Sequence, residues 1–368
     1  MNIGDTKRFT VTAYTASGQI VESEDPAWSS SNALVASVNS DGIVRARKNG
    51  GPVTITAKVR INDGRSILIG TATVYVGPRP VGWVSVPSPT TQPLNAIWGA
   101  SPKDIWAAGE FGTMLHYDGT SWTSVPNAIG GRTITRLYGF ASNDIWGSAY
   151  TPGGSGFALY HYEGAQWSYV PRGLNGALWG AAPNDVWFTG EPGVVMHYDG
   201  VNFTGVSNPG INAFYQVTGV ASNDVWFFGH QGPTIAHWNG SALTAVAAPV
   251  LDRLWAGWAV STNNVWATGS ADATGQNAIT VHWDGTAWST VTVPAFVGPG
   301  IMQGMWAAGA NAVWMVGARG QIVQFDGAQW LAQPTPTTSD LVGAWGFSPT
   351  DVWVVGTGGA ILHRTFLP

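Results

Sequence analysis

The chain has no cysteine in its 368 residues. That excludes disulfides, thiolate metal sites and cysteine nucleophiles. It leaves the compartment open, because exported bacterial proteins also do without cysteine. No apolar run approaches the roughly 20 residues that cross a bilayer, so no membrane insertion is expected. The opening "MNIGDTKRF" has no apolar stretch of the kind a signal peptide carries. Charged residues make up only 10%, and beyond residue 78 the one lysine is Lys103. With a net charge of −5 and a pI near 5.7, there is no basic face for nucleic acid. Runs of helix-forming Lys, Glu and Leu are missing as well.

What is plentiful is glycine (49) and tryptophan (21). Together with the shortage of charge, this composition indicates an all-β protein with many tight turns. Residues 1–78 read as short alternating strands, "RFTVTAY", "VASV", "GIVRA", "VTITAKV" and "TATVYV", separated by Gly, Asn, Asp and Ser. So many strands in so short a segment suggest a small β-sandwich. The stretch "WSSSNALVASVNSDGIVRARKNGGPVTITAKV" (28–59) resembles the group 2 bacterial immunoglobulin-like domain, whose pattern runs W-S-S-S-N, V-A-x-V, D-G-x-V and G-x-x-x-I-T-A. The chain departs from that pattern at its start, where the family's first strand is shortened. The resemblance implies a stalk or adhesive module of an exported bacterial protein. It implies no chemistry.

After "GPRP" (77–80) a repeat begins, and a propeller domain is expected over 79–368. Tryptophans recur at Trp106, Trp146, Trp187, Trp226, Trp266, Trp314 and Trp353, spaced 40, 41, 39, 40, 48 and 39 apart. A period near 40 with four short strands, a to d, is the signature of propeller blades. Eight residues before each tryptophan stands Trp98, Tyr138, Trp179, Thr218, Trp258, Trp306 or Trp345. Two strands joined by a tight turn would set these residues opposite one another, with their rings filling the wedge between blades. The Asp-Gly pairs at Asp118, Asp199, Asp284 and Asp326 read as hairpin turns. The last repeat, ending "ILHRTFLP", lacks a fourth strand, and an unassigned strand "WVSVP" (83–87) precedes the first. The expected fold is therefore a small immunoglobulin-like β-sandwich followed by a seven-bladed β-propeller, closed by pairing an N-terminal strand (about 81–87) into the C-terminal blade. The propeller resemblance covers 80–368, with repeats of the form W-G-x4-D-V-W and H-Y-D-G-x-x-W; kelch and WD signatures are missing.

Six of the seven histidines share one repeat slot, His116, His161, His197, His237, His282 and His363. Equivalent slots of a closed ring are held apart by symmetry, so these residues are expected to be scaffold, hydrogen-bonded within their own blades. No metal site and no cofactor is expected. The same holds for Asp104, Asp144, Asp185, Asp224 and Asp351, expected to bond turn amides. Five acids fall outside the slots: Glu110, Glu191, Asp252, Asp272 and Asp340. They fall in b–c loops or d–a connections, which emerge on one face. So do His230, Arg132, Arg136, Arg172, Arg253 and Arg319. Individual residues on a rigid scaffold mark the face where function resides.

The candidate ligand-binding residues are Glu110, Tyr150, Glu191, His230, Arg132, Arg136, Arg253, Asp272 and Arg319, with Tyr150, Tyr215 or Trp255 as stacking surfaces. The expected function is a non-catalytic, monomeric binding protein, extracellular or on a bacterial cell surface, that recognises a glycan or a surface protein. A carbohydrate-active enzyme is the alternative. A glycoside hydrolase would need a carboxylate pair such as Glu110 and Glu191 about 5–9.5 Å apart, and a lyase a base and a cation. An architectural module of a larger surface protein is a third reading.

Overall fold

The computed structural model describes all residues except 16, 62–65, 79, 127–128, 153–155, 173, 175, 191, 231–234, 250–251, 273–277, 295–301 and 368. Its described residues form strands, turns and three one-turn 3-10 segments, and no helix among them is long and apolar enough to cross a membrane. The chain divides into two compact units, Met1–Gly82 with Phe366–Pro368, and Trp83–Thr365.

The first unit contains β1 (Thr6–Arg8), β2 (Ala13–Tyr14), β3 (Ile20–Val21), β4 (Ala27–Ser30), β5 (Ala36–Val38), β6 (Ile43–Ala46), β7 (Gly50–Arg60) and β8 (Ile67–Val76). Strands β1, β6 and β5 form one sheet, β4, β7 and β8 another, and β2 pairs with β3. Alternation in β7 turns Val53 and Ile55 inward. There they meet Val74 and Val76 of β8 and, from the facing sheet, Ala36, Val44 and Ala46. Two sheets share one apolar core, as a sandwich requires.

The second unit is a seven-bladed β-propeller. Six blades are consecutive antiparallel quartets: 94–124, 133–170, 178–205, 213–245, 253–291 and 302–333. The seventh takes three strands from Leu341–Ser348, Asp351–Gly356 and Ile361–Phe366, and its fourth is Val81–Ser85 from the start of the chain. Val86 N donates to Ile361 O at 2.9 Å, so the closure anticipated at about 81–87 is present. It covers a sheet edge that would otherwise stand open.

The two aromatics of each repeat sit opposite one another in the a–b ladder, as Trp98–Trp106 and Trp345–Trp353 do. Their rings go to different places, however. The strand-b ring fills the wedge, against strands c and d of the next blade. Trp106 meets Tyr162 and Trp167 at 5.3 and 6.3 Å, and Trp266 meets Phe325 and Trp330 at 5.0 and 5.3 Å. Trp353 of blade 7 closes the circle on Tyr117 and Trp122 of blade 1, at 4.9 and 5.8 Å. The strand-a ring instead turns to the propeller axis. Trp345 lies 6.2 Å from Trp98, 6.3 Å from Tyr138 and 5.9 Å from Trp258, so rings from blades 1, 2, 5 and 7 meet there.

The glycine after the strand-a aromatic makes this possible. A Cβ on Gly139 would stand 2.9 Å from the Trp98 ring and 2.7 Å from Asp144 O. Tyr138 donates its hydroxyl to Gly180 O at 3.0 Å, and burial pushes its pKa up to about 12. The axial rings floor a narrow central channel.

Candidate functional site

The slot histidines and acids are joined within single blades. Nε2 of His116, His161, His197, His237 and His363 lies 2.8, 2.7, 2.6, 2.8 and 2.8 Å from Oδ1 of Asp104, Asp144, Asp185, Asp224 and Asp351. Each imidazole lies against its own blade's strand-b tryptophan, at 3.9 Å and 12° for Trp353 and His363. In three blades the same carboxylate also accepts from the indole, Trp106, Trp226 and Trp353 Nε1, at 3.2, 3.0 and 3.0 Å. The a–b acids therefore clamp side chains rather than turn amides. Turn amides are bonded by the c–d acids: Asp118 Oδ1 accepts from Thr120 N and Ser121 N at 2.8 and 2.9 Å. Those bonds hold the Asp118 carboxyl below its ordinary pKa, as equivalent bonds do for Asp199, Asp284 and Asp326. Among the described residues no group of three His, Cys, Asp or Glu could hold a metal ion.

The side chains that converge are carried by strand a, the innermost strand. In six blades its ladder with strand b skips one residue near the start, a β-bulge. The skipped residues are Asn95, Thr135, Tyr215, Trp255, Gln303 and Val342. A bulge re-aims one side chain out of the pleat. Tyr215, Trp255, Gln303 and Val342, with Arg136, line a cavity of about 290 Å³. Beneath it a channel of about 90 Å³, lined by Asn95, Arg136, Gln216 and Gln303, leads down to Tyr138, Trp179, Trp258 and Trp345. Since strand a starts from the d–a connection, the cavity is the channel mouth on the face where d–a and b–c segments emerge.

Three features shape the mouth. Tyr215 lies between two flat neighbours, His230 at 4.9 Å and 12°, and Trp255 at 4.8 Å and 27°. Arg253 covers the Trp255 ring, its guanidinium carbon 5.4 Å from the centroid, and pairs through Nε with Asp252. Arg136 donates NH1 to Thr135 O at 2.8 Å and NH2 to Tyr215 O at 3.0 Å. Burial lowers its pKa, and no carboxylate among the described residues pairs with it. His230 Nδ1 and Trp255 Nε1 are buried with no partner among the described residues.

Of the anticipated ligand-binding residues, Arg136 is the one among the described residues that lines the cavity, with the anticipated stacking rings Tyr215 and Trp255; His230 and Arg253 line neither cavity and reach it only through their contacts with those rings. Glu110, Tyr150, Arg132, Asp272 and Arg319 line neither cavity. Glu110 opens a 3-10 turn in which it is tied by its amide to Pro93 O at 3.0 Å. Tyr150 pairs with Thr133 and Phe157 in the sheet. Arg132 covers the Tyr160 and Tyr169 rings at 5.9 and 5.8 Å. The Asp272 amide donates to Ser270 Oγ at 3.3 Å, and the Arg319 amide to Asp340 Oδ1 at 2.8 Å. Glu191 lies outside the described residues. The slot after strand b stands one strand farther from the axis, about 4.8 Å, so its residues border the mouth at most. Asn95, Gln216, Gln303 and Val342 were not anticipated. For Asn95, Gln303 and Val342 the signal is positional: each is the third residue before its strand-a position, a place that differs from blade to blade, while Gln216 stands two before Thr218 as Arg136 does before Tyr138.

No protein-family model matches the sequence, and no curated protein matches it. Solved structures do. YCF48 bound to D1 peptide superposes with a TM-score of 0.62 at 16% identity, over 78% of this chain and 99% of that one. The WD40 β-propeller domain of Doa1 gives 0.59 at 9% identity, over 77% of this chain and 97% of that one. The extracellular domain of BT3049, a putative hybrid two-component system of B. thetaiotaomicron, gives 0.57 at 13% identity, over 78% of this chain and 42% of that one. At these identities the likeness is one of fold, and it makes the larger part of this chain a β-propeller.

Proposed function

We propose that the chain is a binding protein, not an enzyme, which takes its ligand at the channel mouth on the face where the b–c and d–a segments emerge. The observation that carries this is the convergence of bulged side chains from four blades, with Arg136, on one cavity. Its lining is a cation, two large rings, an amide and an aliphatic side chain. That set suits hydrogen bonding and apolar contact with ring edges. The two-carboxylate hydrolase reading loses ground because Glu110 does not line the cavity. The ligand is a glycan or a segment of a surface protein, and the setting is the exterior of a bacterial cell. The immunoglobulin-like pattern in 28–59 supports that setting. So does the fold likeness to an extracellular domain, and a neighbour solved with a peptide supports a propeller that binds without chemistry.

The test is a glycan array and a capture from intact bacterial surfaces, each run with the natural chain and with Trp255→Ala. Binding lost in a variant of unchanged melting temperature supports the site. A ligand held equally by both chains overturns it.

A further inference from the structure

We infer that the channel mouth is built for a carboxylate: Arg136 receives the charged group and Tyr215 with Trp255 receives the ring or apolar body that carries it. This rests on the reading of the mouth as the binding site and adds the chemical class of the ligand.

The argument begins with charge. A guanidinium carries five N–H donors. Two of Arg136's are committed, to Thr135 O and Tyr215 O. Those carbonyls fix the plane of the fork and leave three donors. The side chain is half-buried and lines both cavities, so the remaining donors face the channel and its mouth. The neighbouring cation, Arg253, is already balanced by Asp252. Among the described residues no Asp or Glu lines the mouth or the channel. The described lining therefore carries one net positive charge inside a chain of net charge −5.

A cation set this deep and left without a carboxylate costs stability unless a counter-ion arrives. Its presence in a binding cavity is explained by an anionic ligand.

The kind of anion follows from the rest of the lining. One guanidinium matches one carboxylate. A phosphate dianion is better served by several cations or a nest of amides. Beside the cation stand Tyr215, Trp255 and Val342; the two rings are stacked on each other and on His230 and Arg253, so they present edges, an apolar border for the body of the ligand rather than a place for a second charge. A cavity of about 290 Å³ is at the lower edge of the usual ligand-site range, so it takes a terminal unit instead of a running chain. An acidic sugar or a peptide's terminal residue with its free carboxylate fits.

The experiment uses the full chain and paired probes: galacturonate against galactose, and N-acetylphenylalanine against its amide, with inorganic phosphate alongside. Binding is followed by calorimetry and by tryptophan fluorescence. The expected result is that at least one acid binds about tenfold or more tighter than its neutral partner, and that Arg136→Met abolishes the difference. Which pair shows it identifies the source of the carboxylate. Acid and neutral partner binding alike, phosphate binding tightest, or no acid binding at millimolar concentration would each overturn the inference. The wild-type comparison needs no variant, so misfolding of Arg136→Met would not obscure it. Neutral ligands that depend on Trp255 but ignore Arg136 would overturn the carboxylate and leave the mouth standing as the binding site.

Discussion

Asp224 is 6% exposed and takes both its partners on one oxygen, His237 Nε2 at 2.8 Å and Trp226 Nε1 at 3.0 Å, while Oδ2 is buried with no partner among the described residues. Removing it leaves two buried donors without an acceptor, and Asp224→Ala is expected to lower stability by about 2–4 kcal/mol in urea unfolding. Blade 5 supplies an internal control. There Asn264 Oδ1 does the same work for His282 at 2.9 Å, so Asp224→Asn is expected to cost roughly half as much as Ala. Equal losses would show that the charge, not the acceptor, matters.

The same control makes a prediction about pH. Without a carboxylate beside it, His282 has its pKa lowered by burial, partly offset by Asp284. A histidine whose folded pKa lies below its ordinary value takes up its proton first in the unfolded chain. Its contribution is complete above the ordinary value and declines as pH falls through it. Asn264→Asp should raise the His282 pKa from its lowered value, so that the loss of stability on the acid side shrinks. NMR titration of the imidazole, with unfolding midpoints at pH 7.5 and 5.5, checks both halves. By contrast the His230 side chain, outside the slot, has no hydrogen-bond partner on Nδ1 among the described residues and is held by its stack on Tyr215, its backbone being paired with Ala213 and Arg253. His230→Ala is expected to leave the melting temperature nearly unchanged and to affect binding.

At the scale of the element, the wedge between blades 6 and 7 is the exception that explains the rule. Elsewhere the strand-b tryptophan meets an aromatic that follows the strand-c residue of the slot, such as Tyr117, Tyr162 or Trp283. Here that place holds Arg364, whose guanidinium lies 5.9 Å from the Trp314 centroid. Its Nε and NH1 are buried with no partner among the described residues, and burial lowers its pKa. Arg364→Tyr should raise stability by about 1–2 kcal/mol, because a ring fills the wedge without stranded donors. An unchanged or lower urea midpoint would show that the cation earns its place there. The axial packing makes the opposite case: Gly139→Ala forces a methyl into Trp98 and should cost about 1–3 kcal/mol.

Elements of this kind were legible in sequence to different depths. The blade count, the Asp-Gly turns and the closing strand are written as spacing, since each repeat must supply the same strand lengths. The division of labour between the two tryptophans is not written there, because ladder opposition says nothing of which way a ring turns. Nor are the bulges visible. A skipped residue in six of the a strands leaves the period near 40 unchanged, so the sequence does not say which residue the bulge re-aims. The candidates therefore included Arg136, on strand a, but drew Glu110, Tyr150 and His230 from the end of strand b, one strand farther out.

For the whole molecule, what matters is that the ring is closed and the channel floored. Closure is by one short strand, Val81–Ser85, whose Trp83 is 7% exposed in a core with Trp314, Val352 and Leu362. Trp288 has the equivalent place in blade 5 and is 6% exposed. Truncating either ring leaves a cavity that should cost about 3–5 kcal/mol. The consequences differ, however, because the other strand-d segments are joined to their blades by short c–d turns, whereas Val81–Ser85 is held to Ile361–Phe366 by pairing alone. Trp83→Ala should therefore release amide exchange along Ile361–Phe366 and in the adjoining blades 7 and 1, well below the global unfolding free energy. Trp288→Ala should lower stability without opening its blade. The axial rings of blades 1, 2, 5 and 7 converge on Trp345, so loosening blade 7 also unsettles the floor beneath Arg136. Ligand affinity should fall in Trp83→Ala and hold in Trp288→Ala. If exchange and affinity respond alike in the two variants, the closing strand is one wedge among seven, and the mouth does not depend on the ring being shut.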